Sequence, residues 1–181
     1  MNIHLLSPFL YMLFTKVILL YDSCPNNQIM ISMRKIHNIT LSLLSMFMFV
    51  SIIYANYLTN KLSSLHNLLC ISYNNNHVAL FSAKMFLYSK YLEWGDTLFL
   101  HLSGKPISML QYTHHMSTAF LVYLNTVETM NSHYIVAMGL NCFVHIPMYW
   151  YFAYPNGFLK LFRVRITQIQ IIQHIICIIT S

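Results

Sequence analysis

Gln111-Tyr112-Thr113-His114-His115 sets two adjacent histidines, with a glutamine three residues ahead of the first, inside the apolar run Ile107–Leu124. Imidazole is costly to bury in hydrocarbon, so an ionisable pair at membrane depth marks a functional site unless its neighbours account for it. Two chemistries suit such a pair. Clustered histidines bind transition metals. A neutral imidazole also serves as a nucleophile or a general base. The metal reading is the weaker one. Membrane di-iron sites draw on several histidine boxes, whereas this chain has one, and its first position is Gln111. His4, His37, His66, His77, His101, His133 and His174 lie elsewhere, outside HxxxH or HxxHH spacing.

Other polar residues fall in stripes. Lys90, Glu93 and Asp96/Thr97 recur at i, i+3 and i+6/i+7, which is one helical face. Asn141, His145 and Met148/Tyr149 recur at i, i+4 and i+7/i+8, again one face. Thr167, Gln170 and Gln173 repeat every three residues as a slowly turning stripe. Each stripe can face an interior while the other sides of its helix meet lipid.

The elements that position these residues follow from composition. The chain has 181 residues, 57% of them hydrophobic and only 8% charged. A soluble domain carries about 25% charged residues. The class is therefore all-α, a polytopic helical membrane protein. A spanning helix needs roughly 20 apolar residues, and the apolar runs predict spans at Leu5–Tyr21, Asn38–Tyr57, His77–Leu102, Ile107–Leu124, His133–Ala153 and Ile166–Thr180. Leu65–Tyr73 is too short to span. The first run has no basic n-region and no small-x-small cleavage site, so it reads as a span rather than a leader.

Charge orients the spans. Arg34, Lys35, Lys105, Lys160, Arg163 and Arg165 lie in or beside the odd-numbered loops, against Lys61 in the even ones. Positive-inside bias puts the odd loops in the cytoplasm. The net charge of +6 is spread over many loops and makes no nucleic-acid patch. Cys24, Cys70, Cys142 and Cys177 have no paired spacing, which predicts neither a disulfide framework nor a zinc site. Asn38-Ile39-Thr40 matches a glycosylation sequon but sits on the cytoplasmic side, as a chance match. Ile178-Ile179-Thr180 ends the last run with no polar flank, which predicts that a C-terminal portion is missing.

With about 1.5 Å of rise per helical residue, the stripes share a depth. His114, His115 and His145 lie roughly 12 Å from the cytoplasmic end of their helices, Glu93 and Asp96 roughly 9–14 Å, and Gln170 and Gln173 roughly 6–11 Å. Polar residues from four spans that meet in one layer predict a shared intramembrane site. The alternative is a set of separate interhelical hydrogen bonds that only hold the bundle together.

At these residues the chain resembles the ELO family of fatty acid elongases. Arg34-Lys35-Ile36-His37-Asn38, with Ser45 and Met46, is similar to the entry of the family's second helix. Lys90-Tyr91-Leu92-Glu93-Trp94-Gly95-Asp96-Thr97 resembles its K-x-x-E-x-x-D-T box, and Gln111 to His115 its H-x-x-H-H box. Asn141 to Tyr151 resembles its N-x-x-x-H-x-x-M-Y box, and Thr167 to Gln173 its T-x-x-Q-x-x-Q box. The ordered set covers residues 33–173 of a single 1–181 transmembrane domain.

The resemblance implies a multi-pass protein of the endoplasmic reticulum membrane, built around a central acyl tunnel. The family has seven spans, so a C-terminal span and tail would be missing here. The implied reaction joins a long-chain acyl-CoA to malonyl-CoA, giving a 3-oxoacyl-CoA, CO2 and CoA, with no bound cofactor and no metal. His114 would carry the acyl group, and His115 and His145 would support acyl transfer and decarboxylation. Lys90, Glu93, Asp96, Gln111, Asn141, Tyr149, Gln170 and Gln173 would bind substrate. The basic Lys160/Arg163/Arg165 loop would either meet CoA phosphates or simply anchor the chain. Implied partners are membrane lipid and the 3-oxoacyl-CoA reductase, dehydratase and enoyl reductase of the cycle, with self-association left open and no nucleic acid. Gln111 departs from the family's usual histidine; glutamine still donates and accepts hydrogen bonds. Two other readings stand beside this one: a catalytically silent elongase-like subunit or scaffold, and a transporter, which the lack of an inverted repeat disfavours.

Overall fold

The structure is a computed structural model that describes residues 3–60, 63–70, 73, 76–128 and 131–180. Lys61 and Ser181, and part of the short run 65–73, lie outside the described residues. All regular structure among the described residues is helical: α1 (Ser7–Ile18), α2 (Gln28–Leu58), α3 (Leu65–Cys70), α4 (His77–Leu92), α5 (Trp94–Leu102), α6 (Met109–Glu128), α7 (Ser132–Ala153) and α8 (Arg163–Thr180). Short 3-10 turns at Ile3–Leu6 and Phe158–Phe162 lead into α1 and α8.

Two of these helices, α2 and α7, are both long and apolar enough to cross a bilayer. The expected span Leu5–Tyr21 is a 3-10 turn followed by the shorter α1. The expected span His77–Leu102 is two helices, α4 and α5, meeting at Glu93. The hydropathy of the run concealed that break, because both halves are apolar. The helix α2 begins at Gln28, ahead of the expected Asn38, because Asn27 caps it: the Asn27 side chain accepts hydrogen bonds from the Ile29 and Met30 amides at 2.9 and 3.3 Å. That extension carries Arg34, Lys35 and His37 onto a rigid helix.

The chain runs up and down. The Cys24 amide donates to the Leu102 carbonyl at 2.9 Å, the Arg34 guanidinium donates to Ser103 Oγ at 2.9 Å, and the Lys35 ammonium sits 4.4 Å from the Tyr154 ring centroid. The first, third and fifth loops therefore share one end, as their common charge predicts. At the other end the Asn76 amide donates to the Ala55 carbonyl at 3.2 Å, and the Thr126 and Tyr134 hydroxyls are paired at 2.8 Å. The Tyr73 hydroxyl donates to Asn56 there, and burial pushes its phenol up to about 12. The short α3 packs against α7 at that end.

The apolar core fills the end away from the basic loops. Met48, Ile52 and Ala55 of α2 pack with Ala79, Ala83 and Phe86 of α4 and with Ile135, Met138 and Cys142 of α7. Cys142 is a buried apolar filler, as its sequence context predicts. With one half of the bundle closed in this way, polar stripes from five helices are left to meet in the other half.

Asn38 is only 3% exposed and lies inside α2. A glycan cannot be accommodated there, and endoglycosidase treatment of the expressed protein is expected to leave its gel mobility unchanged at this sequon.

Candidate functional site

The break at Glu93 lets α4 and α5 present Lys90, Glu93, Asp96 and Thr97 to three different neighbours. Lys90 and Glu93 lie one turn apart and form an ion pair at 2.8 Å, with Glu93 only 2% exposed. The Lys90 ammonium also donates to Asn141 Oδ1 on α7 at 3.0 Å. Lysine has donors only, so the amide atom of Asn141 that faces it is the oxygen. The Asn141 NH2 group then donates to His145 Nε2 at 3.2 Å, one turn further along α7. With Nε2 accepting, the ring proton of His145 sits on Nδ1, which lies 3.6 Å from Glu93 Oε1. Lys90, Glu93, Asn141 and His145 thus form one buried polar ring between α4 and α7 that holds the imidazole in a single tautomer.

Asp96 sits on the opposite wall. Its Oδ2 accepts from the Tyr149 hydroxyl at 2.8 Å, and its Oδ1 meets His37 Nε2 of α2 at 2.9 Å. Tyr149 also packs edge-on against His145, with ring centroids 5.2 Å apart and planes at 89°. Thr97 is tied to α1 by the Tyr11 hydroxyl at 2.8 Å, and the Gln111 amide reaches the same Thr97 Oγ1 at 3.5 Å. Gln111 therefore helps hold α6 to α5.

Gly95 of α5 faces the His37 ring of α2. A Cβ there would stand 2.7 Å from His37 Cε1. Gly95→Ala is expected to push the His37 ring off Asp96 and to destabilise the fold by about 1–3 kcal/mol, the usual cost of overpacking; thermal unfolding in detergent measures it.

The adjacent histidines of α6 diverge, as neighbours on a helix must. His115 is 6% exposed and turns toward Tyr11 of α1, at 6.1 Å between centroids. Its Nδ1 is buried with no hydrogen-bond partner among the described residues. Such a nitrogen is costly unless a ligand serves it. His114 turns the other way, toward His174 of α8, at 6.3 Å between centroids. On α8 the Gln170 amide lies 2.8 Å from Met148 Sδ, and Gln173 is buried.

A single cavity of about 760 Å³ gathers these groups. His114, His115 and Gln111 line it from α6, Asn141, His145 and Tyr149 from α7, Glu93 and Asp96 from α4 and α5, and Gln170 and Gln173 from α8. Lys90 stands behind the wall and acts through Glu93 and Asn141. The residues that depth counting placed in one layer therefore line one cavity.

The lining also includes residues outside the predicted site set, among them His37, Asn38 and His174. The first two could have been found from their spacing to Arg34, at i+3 and i+4 on one face, had α2 been extended to Gln28. His174 lies one turn beyond Gln170, on the stripe already recognised. For the Lys160/Arg163/Arg165 loop, the two readings were contact with CoA phosphates and plain anchoring. Arg34 and Lys105 line the cavity, whereas Lys160, Arg163 and Arg165 do not. Arg163 instead borders a smaller cleft of about 320 Å³ with Met148, Ile166 and Gln170. Among the described residues, no three His, Cys, Asp or Glu side chains are grouped to hold a metal ion.

The profile of the GNS1/SUR4 family, the ELO family, matches residues 1–181. The chain belongs to the ELO family. It is 35% identical over 141 residues to fatty acid elongase A of Dictyostelium discoideum, an alignment covering 77% of this chain and 51% of that one. It is 30% identical over 151 residues to putative fatty acid elongase 1 of Schizosaccharomyces pombe, covering 80% of this chain and 43% of that one. It is 37% identical over 101 residues to long chain fatty acid elongase 2 of Caenorhabditis elegans, covering 50% and 34%. The chain spans about half the length of the first two of these relatives. No solved structure matches it.

Proposed function

We propose that this ELO-family chain is the condensing enzyme of fatty acid elongation, a membrane acyltransferase that joins a long-chain acyl-CoA to malonyl-CoA. The observation that carries the reading is the convergence of His114, His115 and His145 on one cavity of about 760 Å³, together with the buried Lys90–Glu93–Asn141 ring behind it. The names of the relatives support the substrate class.

In the proposed reaction a ring nitrogen of His114 attacks the acyl thioester carbonyl. The C–N bond forms, the C–S bond breaks, and the CoA thiolate leaves with the proton that the imidazole gives up. Malonyl-CoA then loses CO2, and the electron pair of the broken C–C bond becomes an enolate. The enolate carbon attacks the acyl-imidazole carbonyl, a new C–C bond forms and the C–N bond breaks; the departing His114 imidazolate takes up one proton from water, leaving a 3-oxoacyl-CoA two carbons longer. His115, whose Nδ1 has no hydrogen-bond partner among the described residues, and His145 support the transfer and the decarboxylation. Arg34 and Lys105 at the cavity wall suit the CoA phosphates better than Lys160, Arg163 and Arg165, which lie outside it.

The chain makes six passes in this proposal, with the odd loops cytoplasmic, in the endoplasmic reticulum membrane. The acyl tail runs from the cavity into a tunnel between the helices. A reductase, a dehydratase and an enoyl reductase process the product, and no bound cofactor is needed.

The test is expression in cells stripped of their own elongases, with labelled malonyl-CoA and acyl-CoA supplied to isolated membranes. Labelled 3-oxoacyl product is the expected outcome. A stably inserted chain that yields none would leave the second reading, a catalytically silent elongase-like subunit.

A further inference from the structure

We infer that His37 is a positioning residue, which fixes the reaction-centre imidazole of His145 through Asp96 and Tyr149. The inference rests on the proposed condensing activity for its kinetic part only. His37 is on α2, Asp96 on α5, and Tyr149 and His145 on α7, so the relay ties three elements together.

Asp96 has two carboxylate oxygens, and each is taken: His37 Nε2 at 2.9 Å on Oδ1, and the Tyr149 hydroxyl at 2.8 Å on Oδ2. A carboxylate held on one side only can rotate about its χ2 bond, a broad torsion. Held on both sides it cannot, and it then gives the Tyr149 hydroxyl a fixed acceptor. Tyr149 is 1% exposed, so its ring is packed against protein on nearly every side. The ring stands perpendicular to His145 at 5.2 Å. The opposite side of His145 is held by Asn141 and Glu93. The imidazole is thus clamped between a polar ring and an aromatic edge, and His37 is the outermost member of one jaw.

Two further features fit this role. Chain geometry makes room for the imidazole at the cost of a side chain at Gly95, where a Cβ would stand 2.7 Å from it. The His37 ring also packs on Phe99, at 5.1 Å between centroids, which restricts its rotation. The ring, rather than any small polar group, is what this space accepts. A shell that locks a reacting group within a few tenths of an ångström acts on turnover more than on substrate binding.

The experiment compares the wild-type 181-residue chain with His37→Leu, His37→Gln, His37→Asn, Tyr149→Phe and the His37→Leu/Tyr149→Phe double variant, in membranes and in detergent. The amide nitrogen of glutamine reaches about as far from the backbone as Nε2, and that of asparagine does not. The expected result has three parts. His37→Leu and His37→Asn lower kcat by about 10- to 100-fold, the range seen when groups behind a reacting residue are removed, with KM for acyl-CoA little changed. His37→Gln recovers most of kcat. The double variant is no slower than Tyr149→Phe alone. Equal losses in the Gln and Asn variants, or multiplicative losses in the double variant, would overturn the inference.

A wild type without activity would count against the condensing reading and not against the relay. The relay is then decided by thermal unfolding of the same set in detergent. Shifts in Tm for the two single variants that fail to add in the double variant support it. Shifts that add within error overturn it.

Discussion

His114→Ala is expected to reduce condensation product by on the order of 10³-fold or more, because a covalent acyl carrier leaves no equivalent path when removed. The fold should survive the change. His114 lines the cavity, and its ring neighbours are other imidazoles rather than hydrogen-bond partners. Product formation from labelled malonyl-CoA, with immunodetection to normalise for inserted protein, measures the effect. His115→Ala makes the informative contrast. That residue is buried against Tyr11, so truncating it leaves a cavity and should lower stability as well as activity. A trapped acyl-enzyme separates the roles further. Incubation with acyl-CoA alone should label wild type and His115→Ala but not His114→Ala. Acyl label on His114→Ala equal to that on wild type would sink the assignment of the carrier.

The layer of polar residues was legible in the sequence because helical rise is nearly constant. Counting from each helix end placed Glu93, His114, His145 and Gln170 at similar depth, and the cavity gathers all four. The stripe at Asn141, His145 and Tyr149 was equally plain, since one helical face carries it without interruption. Two things were hidden. One is the break at Glu93, because both halves of the run are apolar and hydropathy does not register it. The other is the reach of α2. Apolar content fades before Asn38, yet the Asn27 cap and uninterrupted helix formers carry the helix back to Gln28. Without that extension Arg34 and His37 stand outside the expected span, and the Lys160/Arg163/Arg165 loop stays open between meeting CoA phosphates and anchoring the chain. Which cation borders a cavity depends on which helices are neighbours, and sequence spacing within one helix does not encode that. The resemblance to the ELO family gave the order of the motifs, but it did not make His37 a partner of Asp96.

Lys90→Met is expected to be the most destabilising single change in the molecule, by about 3–5 kcal/mol, because it leaves the Glu93 carboxylate buried without its counter-ion. The local geometry leaves no escape. Glu93 and Lys90 are each only 2% exposed, so water can do little to replace the lost counter-ion. The ammonium makes short contacts to Glu93 Oε1 and Asn141 Oδ1, and it lies 4.3 Å from the Phe86 ring centroid. Removing it therefore orphans two acceptors at once. The Asn141 oxygen loses its donor and the amide becomes free to flip, which in turn releases His145 from its tautomer. Loss of folding and loss of activity should appear together for this variant. The double change Lys90→Met/Glu93→Gln separates them. It removes both charges and keeps a polar group beside His145, so thermal stability in detergent should return most of the way toward wild type. Activity should stay low, since the His145 ring no longer has a carboxylate beside Nδ1. A double variant as unstable as Lys90→Met alone would show that the cost lies in lost packing of the lysine stem rather than in the uncompensated charge.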